Sequence, residues 1–147
     1  MEAWFLLYCD FGKNNNKDLI RLLEGFDVEV FQPMLNISKA RKDRPGKFRK
    51  KNIPLFENYL FVRFDYSQLR FSQILCLSGV SYFVRSSNQL ATIPVECISQ
   101  LKKASNDVIE GVDYNNCFYS IMCREINSSE RIGMMRKLIV YQDVKQL

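Results

Sequence analysis

The 147-residue chain is 47% hydrophobic and carries 21 Lys and Arg against 16 Asp and Glu, a net charge of +5, which suits one ordinary domain or a domain of about 100 residues with a small appendage. Histidine is absent and the five cysteines, Cys9, Cys76, Cys97, Cys117 and Cys123, form no CxxC pair; the commonest general base and the usual zinc spacing are missing, so no enzyme, metal or cofactor is expected, and the thiols read as small buried groups in a reducing compartment. No apolar run approaches the roughly 18 residues of a membrane span and the N-terminus lacks the marks of a signal peptide, so a cytoplasmic protein without a membrane partner is expected.

The first element, "AWFLLYC" at residues 3 to 9, is an aromatic and aliphatic run that reads as a buried strand. Gly12 and the asparagines at 14 to 16 mark a turn and supply a helix cap. Leu19, Leu22, Leu23 and Phe26 recur at helical spacing, with Gly25 near the stop. Lys17 and Arg21 share an exposed face, where Asp18 and Glu24 are available to pair with them. "DVEVFQPM" at 27 to 34 is a second strand, with Val28, Val30 and Gln32 alternating against Glu29 and Phe31.

"KARKDRPGKFRKK" at 39 to 51 sets Lys39, Arg41, Lys42, Arg44, Lys47, Arg49, Lys50 and Lys51 against Asp43 alone, a local +7 that leaves the rest of the chain at −2. Pro45 and Gly46 at its centre make it an exposed turn or hairpin tip between two strands. It reads either as a solvated loop or as a polyanion contact, because clustered cations attract phosphates and release counterions. Nucleic acid is favoured over lipid, since no amphipathic basic helix accompanies the run.

"PLFENYLFVRFD" at 54 to 65 is apolar on both sides of a strand. Alternation puts Phe56, Leu60, Val62 and Phe64 on one face and Leu55, Tyr59 and Phe61 on the other. The second face therefore needs a cover. "YSQLRFSQILCL" is a second helix, begun by Ser67 and ended by Gly79; "VSYFVR" at 80 to 85 is a strand, and "SSNQ" turns into "LATI". Pro94 opens a third helix through about Lys103, with Val95, Ile98 and Leu101 inward. The order β-α-β-β-α-β(β)-α gives an α/β (α+β) fold, an antiparallel sheet with helices packed on one face.

In the C-terminal forty residues Phe118, Ile121, Met122 and Ile126 fit helical spacing, as do Ile132, Met135 and Ile139, with Ser128 or Ser129 as a cap between. "KLIVY" has high β-propensity, which keeps strands open there. The expected state is a short helical region docked on the sheet.

"AWFLLYC" with Gly12, "VFQPM", "PLFENYLFVRFD", "SGVSYFVR" and "IPVECISQL", in that order and spacing, resemble the N-terminal domain of the NusG family of transcription elongation factors over residues 2 to about 102. Within the family the chain is most similar to the specialised RfaH branch and its plasmid-borne relatives. The resemblance implies an N-terminal domain at 1–104, a linker at 105–112 and a shortened, degenerate KOW-like region at 113–147. It also implies a processivity clamp that binds the clamp helices of bacterial RNA polymerase and suppresses pausing and termination. Tyr59 and Phe61 match the aromatic pair the family docks on those helices, with Leu55 and Tyr8 beside them.

The branch reads the non-template DNA strand near its first helix, where Lys17 and Arg21 match a basic residue and a histidine after one inserted residue, and Lys13 lies near a polar contact position. Asp10 and Phe11 replace two neighbouring basic residues, so strand affinity or sequence preference differs. Arg70, Phe71 and Ser72 keep little of the polar segment that touches the second large polymerase subunit, and Glu57 stands where the family often has proline. Arg41, Lys42, Arg44, Lys47, Arg49 and Lys50 remain the nucleic-acid candidates of the basic hairpin.

The resemblance further implies a cover for the second face, since the branch masks its polymerase-binding surface with a helical hairpin. Phe118, Ile121, Met122, Arg131 and Met135 are the candidate contacts of such a mask. Arg131 matches the arginine of an ion pair that holds the mask, whereas Ile53 occupies the position of its glutamate. The tail has only Gly111 and Gly133, few for a small barrel, and a piece of that size rarely folds alone. Three readings follow: a monomeric antitermination factor, a clamp decoy without the complete KOW barrel that recruits ribosome or termination factor, or a nucleic-acid module whose basic hairpin works without polymerase.

Overall fold

The computed structural model describes residues 2–10, 16–40, 42–106 and 127–143. Its middle strand is β1 (Glu2–Cys9), paired antiparallel with β5 (Tyr59–Asp65) from Glu2↔Asp65 to Tyr8↔Tyr59. On the other side β1 meets β6 (Val80–Phe83) through Leu7 to Cys9 and β8 (Gln89–Ile93) through Trp4 and Phe5. β2 (Glu29–Phe31) pairs with β5, β7 (Arg85–Ser86) with β8, and β9 (Val140–Asp143) with β8's opposite edge. Among the described residues these make one seven-stranded sheet, while β3 (Met34–Ala40) and β4 (Phe48–Pro54) form a separate hairpin.

Alternation along β1 and β5 produces two apolar faces. Phe5, Leu7, Cys9, Leu60, Val62 and Phe64 share the first, closed by Leu19 and Leu23 of α1 (Asn16–Gly25) and by Phe71 and Ile74 of α2 (Phe71–Leu75). Its centre is an aromatic knot of Phe5, Phe64, Phe71 and Phe83 with ring centroids 5.1–6.2 Å apart, the range in which edge and tilted ring contacts are favourable. Trp4, Leu6 and Phe61 share the second face with Ile93. Ile98 and Leu101 of α3 (Val95–Asn106) close it, together with Leu35 and Leu55 at the hairpin base and Met135 of α4 (Ser128–Arg136). Helices thus cover both faces, not one, because both would otherwise present large apolar side chains to water.

The stretch 54 to 65 is not one strand. Pro54 ends β4, residues 55–58 turn with Asn58 at φ 69°, and β5 starts at Tyr59. The turn resets the alternation, so Phe56 joins the second face, its ring 6.0 Å from that of Phe61. Ser67 does not begin α2: its hydroxyl and N–H both donate to Asp65, at 2.5 and 3.0 Å. The helix starts after Arg70, whose N–H donates to the Gln73 side chain at 2.9 Å. Leu22, Phe26 and Val95 are exposed, since α1 meets the first-face core through Leu19, Ile20 and Leu23, and α3 meets the second through Ile98 and Leu101. The basic hairpin tip forms as expected: Lys47 N–H donates to the Arg44 carbonyl at 3.2 Å, and Gly46 after Pro45 takes φ 82°, the positive angle a type II turn demands.

The tail is part helix and part strand. α4 is capped by Asn127, not by a serine, with Asn127 Oδ1 accepting from Glu130 N–H at 2.8 Å. The Ile132, Met135, Ile139 stripe breaks because the helix stops at Arg136 and the chain enters β9, where Thr92 Oγ1 donates to the Val140 carbonyl at 2.7 Å. Among the described residues no helix is long and apolar enough to cross a membrane.

Of the described cysteines only Cys9 is fully buried; Cys97 is half-buried and Cys76 exposed. Burial pushes the Cys9 thiol from 9.0 up to about 12. With Cys117 and Cys123 replaced by serine, a thiol reagent at pH 8 modifies Cys76 first and Cys9 only upon unfolding. Because the unfolded chain ionises Cys9 first, this group's contribution to stability is complete below pH 9.0 and declines as pH rises toward about 12; Cys9→Ala removes that slope in alkaline denaturation.

Candidate functional site

Cross-strand pairing builds a ladder of three tyrosines on the second face. Tyr8 of β1 lies directly opposite Tyr59 of β5 and Tyr82 of β6. The Tyr8 and Tyr59 rings meet edge to face at 5.2 Å, and the Tyr8 and Tyr82 rings stack at 5.0 Å and 20°. Cross-strand aromatic pairs stabilise a sheet, so the ladder is a preorganised aromatic surface. Tyr8 and Tyr59 are half-buried and Tyr82 is 50% exposed. Partial desolvation raises the Tyr82 hydroxyl's pKa, Tyr59 and Tyr8 add to the shift, and Arg136 opposes it. Phe61 and Leu55, expected beside these tyrosines, lie deeper: both are fully buried, Phe61 against Phe31 and Phe56 at 5.9 and 6.0 Å.

α4 lies over this face. Met135 is buried in the same cluster as Phe61 and Leu55, with Ile132, Met134, Leu138 and Ile139 partly buried around it. Arg131 is 5% exposed, and its Nη1 donates to the Leu55 carbonyl at 3.4 Å. The guanidinium thus meets the backbone of the turn that leads into β5. Between α4 and the sheet run two grooves. One, of about 510 Å³, is lined by Tyr59, Tyr82, Arg85, Met135, Arg136 and Tyr141 among others. The second, of about 400 Å³, lies on the other side of Tyr59, against Tyr8, Glu57, Ile132 and Gly133. Among the described residues no cluster of three metal-ligating side chains exists. The chemistry on offer is contact: aromatic faces, apolar floor and cationic rims.

Lys17 and Arg21 are exposed on α1, as are Lys42, Arg44 and Lys47 at the hairpin tip. Lys13, Arg41, Phe118, Ile121 and Met122 lie outside the described residues, as do the side chains of Arg49 and Lys50. Sequence reasoning missed Tyr82, Arg85, Arg136 and Tyr141. Its one usable signal was strand alternation in "SYFVR", which puts Tyr82 opposite in sense to the buried Phe83; nothing local marks Arg136 or Tyr141, brought there by a tail that joins the sheet 48 residues away from its partner.

Residues 2–102 match the family model described as transcription termination factor NusG. The match ends within α3, so α4 and β9 lie beyond it. Met135→Ala deletes the tail's one fully buried apolar side chain among the described residues, a loss of about 2–5 kcal/mol where the site does not collapse. Amide exchange in Val140–Asp143 then accelerates while exchange in the β1 and β5 ladder stays unchanged, as hydrogen-exchange mass spectrometry will show.

Proposed function

The chain belongs to the NusG family of transcription factors, and on that premise we propose that it is an elongation factor of the antitermination type. The tyrosine ladder supports this reading: an aromatic surface beneath a tail whose described residues meet the sheet through α4 and the four-residue strand β9. In this account Tyr8 and Tyr59, with Phe61 and Leu55 behind them, dock on the clamp helices of bacterial RNA polymerase after α4 has moved away. Arg131 and Met135 hold the cover until then. Aromatic anchors that become fully desolvated are the usual energetic centres of such contacts.

Lys17 and Arg21 of α1 contact the non-template DNA strand, and the hairpin cations Lys42, Arg44 and Lys47 approach nucleic acid nearby. Six consecutive exposed residues, 42–47, carry this charge away from the packed core, the arrangement that favours salt-sensitive phosphate binding. Clamp and DNA contacts then divide the work, affinity from the aromatic face and loading from the cations.

Retention of purified core polymerase tests the first half. Tyr59→Ala weakens retention about thirtyfold, the scale of an aromatic hot spot, and abolishes relief of pausing in a single-round elongation assay. Unchanged retention by Tyr59→Ala overturns the clamp contact, and retention without any effect on pausing makes the protein a clamp decoy. Lys17→Glu with Arg21→Glu lowers loading on complexes with an exposed non-template strand more than it lowers core-polymerase affinity; equal losses overturn the division of roles.

A further inference from the structure

The larger groove has a composition that docking of the tail alone does not require. Its floor is apolar, from Leu6, Val84 and Ile139, but its rim presents Tyr82, Tyr141 and Arg136 and no acidic side chain. Tyr82 is 50% exposed and Tyr141 43%. One ring face of Tyr82 is covered by Tyr8, stacked at 5.0 Å and 20°, so a further planar ring on its outer face would continue an existing stack. Arg136 forms no ion pair among the described residues. A stacking platform beside an arginine is the chemistry that takes a base together with its phosphate, and the groove's volume of about 510 Å³ lies in the range of small-ligand sites.

We propose that this groove binds a nucleoside phosphate, free or as one unit of a single strand, with the base on Tyr82 and the phosphate held by Arg136. The site needs the tail in place, because Met135, Arg136, Ile139 and Tyr141 form one wall of it. A ligand that binds only the closed form stabilises that form by mass action. The nucleotide therefore holds the tail on the sheet. This inference rests on the position of the tail and not on the polymerase contact, so the two stand or fall separately.

The test is calorimetric titration of the full chain with adenosine monophosphate, with the hexanucleotide dA6 and with inorganic phosphate. The nucleotide binds at one site, and Tyr82→Ala weakens it about tenfold or more, the usual effect of removing a stacking platform. Tyr82→Phe keeps the affinity, Arg136→Gln lowers it, and the ligand slows amide exchange in Val140–Asp143. The tighter binder of adenosine monophosphate and dA6 identifies the source, free nucleotide or single strand. Three results overturn the proposal: no binding of either probe, binding that survives both Tyr82→Ala and Arg136→Gln, or inorganic phosphate binding as tightly as the nucleotide. Circular dichroism of Tyr82→Ala, matched to that of the parent chain, shows that the fold is kept.

Discussion

A sheet whose two middle strands are apolar on both sides has to be covered twice, and the arrangement of this molecule follows from that requirement. β1 and β5 place Phe5, Leu7, Leu60, Val62 and Phe64 on one face and Trp4, Leu6 and Phe61 on the other, every one of them 3% exposed or less. Each large side chain withdrawn from water contributes about 1.5–3 kcal/mol, so neither face can stand open without a large loss. α1 and α2 answer for the first face. The second is shared among α3, the hairpin base and the tail.

The two covers differ in how firmly they are held. The first face closes around four interlocking phenylalanines. Over the second, the described part of the tail contributes the fully buried Met135, with Ile132, Met134, Leu138 and Ile139 packed around it, a donor contact from Arg131 and a ladder of four residue pairs between β8 and β9. α4 has nine residues, too few to persist as an isolated helix in water, so it depends on the sheet for its structure. Charge runs along other elements: the cations of α1 and of the hairpin tip sit outside both apolar clusters.

Much of this was legible in the sequence, and the parts that were not share a cause. The two faces of β5 and the pairing of Tyr59 with Phe61 on the second follow from period-two alternation, and Pro45 with Gly46 announces the hairpin tip. Phe56 was misplaced because a turn at Asn58 interrupts the alternation, and no pattern of apolar residues reveals a positive φ. The helices appeared one-sided because the cover of the second face comes from α3 and from a tail far along the chain. Val140 and Tyr141 pair with Thr92 and Ala91, a contact of high sequence separation; β-propensity in "KLIVY" allowed a strand, but only the open edge of β8 selects one. The groove residues were invisible for the same reason, being contributed by segments that meet only in the folded state.

The claim on which the account depends is that the second face exchanges its own tail for the polymerase. A spin-label distance between Ser129→Cys on α4 and Glu96→Cys on α3, in a chain otherwise free of cysteine, reads that exchange directly. The account predicts one short, narrow distance in the free protein and a long, broad distribution when core polymerase is bound at saturation. An unchanged short distance in the bound complex would contradict it.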